Sequence, residues 1–154
     1  MLRNPYVRNK FALIKDAINR IEKFKGDRKI AVDLEAYLVV LLSGIYEDCF
    51  EYLINERTDR AGDAELSAFV EKTLDIQFRN PDWDTLTKVL GWFSDRWAKT
   101  LKKKIRNQAK TSLNNIVTNK NAVAHGNTSN LTLAEIKNCH RNCKSIFEKL
   151  EKIM

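Results

Sequence analysis

From Tyr6 to Ile153 apolar residues return at steps of three and four, a spacing that places them on one face of a helix and commits that face to a core. The first run carries Phe11, Ile14, Ile18, Ile21 and Phe24 and predicts an amphipathic helix from Tyr6 to Lys25, ended by Gly26. The second, between Ile30 and Arg57, passes through Leu34, Leu38, Leu41, Ile45, Cys49, Tyr52 and Leu53. Around Ala36 to Tyr46 it is apolar on nearly every side, so this helix is expected to be the central and most buried one.

Thr58 to Asp63, with Gly62, reads as a turn before a short helix through Leu66, Phe69, Val70 and Leu74. Asn80-Pro81-Asp82 breaks the chain and offers Asp82 or Asp84 as an N-cap. Trp83, Leu86, Leu90, Phe93, Trp97, Leu101 and Ile105 then predict one long helix, with the aromatic members in the core. Leu113, Ile116 and Val117 place a further helix over Ser112 to Gly126. Thr132 and Glu135 form a capping box that starts the last helix, whose stripe is Ile136, Cys139, Cys143, Ile146, Leu150 and Ile153. Only 5 Gly and 2 Pro interrupt 154 residues. The expectation is an all-α, up-and-down bundle of four long helices plus one or two short ones, in a single domain over 1–154.

The longest run without a polar residue, Ala36 to Leu42, is far short of the roughly 20 that cross a bilayer, and the charged N-terminal stretch lacks an apolar signal core. A cytoplasmic protein without a membrane partner is expected. Cys49, Cys139 and Cys143 are an odd number of thiols without secreted-scaffold spacing. Cys139, His140 and Cys143 do not complete a metal set, so the expected metal is none and these residues are assigned to packing. No cofactor-binding motif is present.

The net charge of +7 permits nucleic acid or an acidic partner. Its position narrows this. Arg96, Lys99, Lys102, Lys103, Lys104, Arg106 and Lys110 include no acidic residue, and the run leads toward the stretch SLNNIVTNKNAVAHG. It is either a solvated face or an electrostatic track for an RNA backbone. Within that stretch Lys120, Asn121 and His125 bring together a fixed cation, an amide and a side chain that titrates near neutral pH. At about 100° per residue Asn121 and His125 share a face, while Lys120 stands roughly 140° from His125. His125 has two readings: a phosphate-site residue, or a C-cap before a left-handed Gly126. Glu47 and Glu51, four apart on the second helix, are candidates to orient a histidine or an ammonium, or else a solvated edge.

With the N-A-V-A-H-G sequence ahead of the last helix, S-G-I-Y-E-D-C-F-E-Y-L-I at Ser43 to Ile54 and the T-L-A-E start of the terminal helix, the chain resembles the HEPN superfamily, nearest to its RiboL-PSP type. Members typically carry R-x(4 to 6)-H, often R-N-x-x-x-H, and many are metal-independent endoribonucleases of toxin-antitoxin and antiphage systems. The matching positions are Lys120, Asn121 and His125. Lysine stands in place of the motif arginine, which keeps the charge and loses the planar two-point grip on phosphate. Asn127 stands where some toxin members carry a tyrosine.

The resemblance implies RNA cleavage to 2',3'-cyclic phosphate ends, with His125 as base, Lys120 stabilising phosphoryl charge and Asn121 holding the phosphate or the histidine. It also implies a homodimer and a regulatory partner such as an antitoxin. The alternative it carries is a catalytically degenerate module that binds RNA or a protein.

Overall fold

The computed structural model describes residues 1–24 and 26–154. Among the described residues seven helices follow one another: α1 (Pro5–Glu22), α2 (Arg28–Asp59), α3 (Ala64–Gln77), α4 (Trp83–Phe93), α5 (Asp95–Lys104), α6 (Asn107–Ala124) and α7 (Leu133–Ile153). The all-α bundle expected from the periodicity is present. It has three shorter helices instead of one or two, because the stretch from Trp83 to Ile105 divides at Ser94. Ser94 is extended, and its hydroxyl accepts from the Trp97 N–H at 3.3 Å, which starts α5 afresh.

At 32 residues α2 is the central element and packs against α1, α3, α6 and α7. Leu38, Leu42, Tyr46 and Phe50 meet Ile14, Leu86, Leu113, Ile116, Cys143 and Phe147 in one core. One of the four buried polar side chains among the described residues, Glu35, has a structural use. Buried Glu35 accepts the Leu133 N–H at 3.0 Å and so helps to cap the start of α7. The capping box of Thr132 and Glu135 forms as expected.

Some apolar positions lie outside the core. Helix α1 stops at Glu22, so Phe24 falls beyond the helical stripe and is partly exposed, while the proposed last residue, Lys25, lies outside the described residues. Of α3, which packs on α2, Val70 and Leu74 are buried and Leu66 and Phe69 are not. Even the central helix keeps Ile30, Tyr37 and Val40 in solvent.

Cys49, Cys139 and Cys143 are free and buried. Burial pushes the Cys49 thiol up to about 12, so it is an apolar packing group and not a nucleophile. His140 Nδ1 lies 3.0 Å from the Tyr46 hydroxyl, and burial, helped by Lys144, lowers the imidazole to about 4. Among the described residues no three His, Cys, Asp or Glu side chains converge as a metal site requires. No helix among the described residues is long and apolar enough to cross a membrane.

Candidate phosphate site at the end of helix six

The C-terminal end of α6 is closed by backbone geometry. His125 is its C-cap, Gly126 takes φ +80°, the Gly126 N–H donates to the Val123 carbonyl at 3.0 Å and the Asn127 N–H to Ala122 at 2.9 Å. This pair of bonds is the Schellman closure that a left-handed glycine permits. The cap reading of His125 thus describes its backbone. Its imidazole is exposed, with no hydrogen-bond partner among the described residues. The loop beyond is held by Asn119, whose Oδ1 accepts the Asn130 N–H at 2.7 Å and the Ser129 hydroxyl at 3.3 Å.

Lys120 points elsewhere. Half-buried, it donates from Nζ to Asn80 Oδ1 at 2.6 Å, in the loop between α3 and α4. Asn80 has φ +60°, a left-handed conformation that asparagine tolerates better than most residues and that aims its amide across the cleft. Glu47, Glu51, Asp75 and Arg79 complete the lining of a cleft of about 580 Å³ around this bond. The two glutamates expected as orienting carboxylates thus line the same cleft as Lys120, whose ammonium is bonded to Asn80.

Burial raises the Glu47 carboxyl above its ordinary value, against the opposing pull of Lys120, Arg79 and the Asn80 backbone N–H. Glu51 has no such relief: burial, then the charges of Glu47, Asp75 and Asp48, push it up to about 7. A carboxyl of this kind carries a proton for part of the time at neutral pH and can exchange it. The cleft thus combines a fixed ammonium, a guanidinium, an amide oxygen and three carboxyls, those of Glu47, Glu51 and Asp75.

What the fold keeps apart matters equally. His125 is not among the residues lining the Lys120 cleft. Five residues of helix separate them by about 7.5 Å along the axis and roughly 140° around it. Half-buried Asn121 lies on the histidine's side. The seven cations expected to approach this stretch do not reach it. Arg96, Lys99, Lys102, Lys103 and Lys104 sit on α5, and Arg106 and Lys110 at the start of α6. Even Lys110, stacked 5.2 Å from the Trp83 ring centroid, is about 15 Å along the helix from Lys120. Chain adjacency misled because a straight helix intervenes.

Sequence reasoning missed Arg79, Asn80, Asp75 and Asn119. The Asn80-Pro81 break was visible as a turn, but its reach to Lys120, 40 positions on, exists only in the packed bundle. The RiboL-PSP-HEPN family model matches residues 6–154. No curated protein and no solved structure matches the chain.

Proposed function

Because the chain belongs to the RiboL-PSP type of HEPN domains, we propose that it is a metal-independent endoribonuclease whose working groups lie at the end of α6. One observation carries this reading: the motif lysine is anchored to Asn80 beside Glu47 and Glu51, while the motif histidine, one and a half turns on, holds an unengaged imidazole at the surface. His125 takes the proton from an RNA 2'-hydroxyl, the oxygen attacks the adjacent phosphorus, and the bond to the 5'-oxygen breaks. The products are a 2',3'-cyclic phosphate and a 5'-hydroxyl. Lys120 has three N–H donors and commits one to Asn80, which leaves two for the phosphoryl oxygens. Asn121, on the histidine's side, steadies the phosphate or the ring.

The leaving oxygen needs an acid, and a second copy supplies it through its own His125. Asp33, Tyr37, Val40 and Gly44 form an exposed strip of α2 at steps of four and three, which Glu47 and Glu51 continue into the cleft. Tyr37 is 53% and Val40 40% exposed on this strip, and a two-fold partner would cover them. The biological setting that fits is toxin-antitoxin or antiphage defence in the cytoplasm, with a regulatory protein restraining the enzyme.

The test is digestion of a mixed RNA pool in excess EDTA, with the fragment ends sequenced. Cyclic phosphate ends are expected from the wild type and none from His125→Ala. A second reading draws on the carboxylates around Lys120, which oppose a phosphate: a degenerate module that binds RNA or protein without cleaving. Salt-dependent RNA binding with the RNA left intact would select it.

A further inference from the structure

Two grooves flank α7, and both are lined by cations without a single carboxylate. The first, about 530 Å³ between α1 and α7, has Leu2, Phe11 and Ile18 in its floor and Arg8, Lys15 and Lys144 on its rim. The second, about 290 Å³ between α7 and the turn joining α5 to α6, is edged by Lys104, Arg106 and Lys149. Arg141 lines both and joins them into one track. Of the cations of the first groove, Lys137 is held by Glu22 at 2.6 Å and the N-terminal ammonium of Met1 by Glu148 at 3.1 Å. Arg8, Lys15, Arg141 and Lys144 are exposed and pair with no carboxylate among the described residues.

Such a concentration is not a simple consequence of net charge, since 20 acidic residues are available and none lines either groove. It is assembled by folding: residues 8 and 15 come from α1, 104 and 106 from the α5–α6 corner, and 141, 144 and 149 from α7. The track crosses α7, whose stretch from Lys137 to Lys149 rises about 18 Å, enough for several successive phosphates. An apolar floor beneath a cationic rim suits a strand whose bases can turn inward while its phosphates stay on the edge. A duplex, with its bases already stacked, leaves that floor unused.

We propose that the α1–α7 face is an exosite for single-stranded RNA, separate from the Lys120 cleft and holding the substrate at a distance from it. The exosite depends on RNA being the substrate, as proposed above, and not on cleavage.

Its test is fluorescence anisotropy with a short 2'-O-methyl RNA strand, which lacks the attacking hydroxyl, across a series of salt concentrations. The variant neutralises Arg8, Lys15, Arg141 and Lys144 to Gln; the control neutralises Lys29, Arg57, Lys72 and Lys88 to Gln, four exposed cations away from both grooves, for the same change in charge. Melting curves confirm that both remain folded; if the fourfold variant does not, the pair Arg141→Gln and Lys144→Gln carries the test. The fourfold variant is expected to lose about tenfold or more in affinity at low salt and to flatten the log–log salt slope by about 3, against a much smaller change in the control. Equal losses in variant and control would overturn the exosite, as would equal affinity for a duplex. Competition by polyglutamate as effective as by RNA would also overturn it, marking an acidic protein's surface. Absence of RNA binding by the wild type overturns exosite and nuclease together. Binding with the expected dependence, but no cleavage of ordinary RNA, overturns the nuclease alone.

Discussion

The two ends of α6 are built on opposite principles. At its start Arg106 is exposed, and Lys110 stacks on Trp83, within a corner that also carries Lys102, Lys103 and Lys104 and forms no ion pair among the described residues. At its finish there are few charges, each with defined neighbours: Lys120 on Asn80, Glu47 against Lys120 and Arg79, and Glu51 against Glu47. Exposed cations create a field that concentrates a polyanion and is screened by salt. Fixed groups hold one phosphate in one geometry and tune protonation. Under the proposed function one helix separates attraction from chemistry, and changes at either end should produce distinguishable defects.

The sharpest division comes from Lys120. Lys120→Ala is expected to lower the cleavage rate about a hundredfold with little change in RNA affinity, as loss of one oxyanion donor does, while Lys120→Arg should cleave at least as fast as wild type; single-turnover kinetics measures both. An equally large fall in affinity would erase the distinction between the ends. Neutralising Lys102, Lys103 and Lys104 to Gln should weaken RNA binding about tenfold and reduce the salt slope by about 2, as read by anisotropy.

Smaller effects probe the scaffold. Asn80→Ala puts at φ +60° a residue that tolerates the left-handed region less well than asparagine and removes the partner of Lys120, so the melting temperature should fall by about 3 to 6 °C, and Asn80→Gly should recover the backbone part while leaving Lys120 unanchored. Calorimetry separates the two.

Glu51 gives a pH signature. Its carboxyl rises from 4.5 to about 7 on folding, so the folded state binds more protons and stability declines as pH increases between those values. Glu51→Gln should flatten that decline and raise stability at pH values above 7 by about 1 kcal/mol, the carboxyl being half-exposed and screened by water. Thermal melts across pH would show it.

Much of this organisation was legible in the chain because helical periodicity is local. The stripes of α2, α6 and α7, the Thr132–Glu135 box and the Gly126 cap all rest on neighbours within a few positions. The break at Ser94 was hidden because the apolar steps continue through it, and only the serine hydroxyl, a common capping group, marked a restart. The candidates His125, Lys120, Glu47 and Glu51 could be chosen from residue type and spacing, and of these the last three line one cleft. Arg79 and Asn80 could not, since their place depends on how the α3–α4 loop crosses α6. The cationic run was visible, but its destination was misjudged: helix length placed it at the far end from the histidine.

The most direct measurement compares His125→Ala with the Lys102, Lys103 and Lys104 neutralisation in single-turnover RNA cleavage, in excess EDTA and at saturating protein. Chemistry confined to the end of α6 predicts that His125→Ala leaves the RNA intact, while the neutralised variant, once saturated, cleaves at the wild-type rate. Equal cleavage by His125→Ala and wild type would contradict that assignment and place the catalytic groups elsewhere.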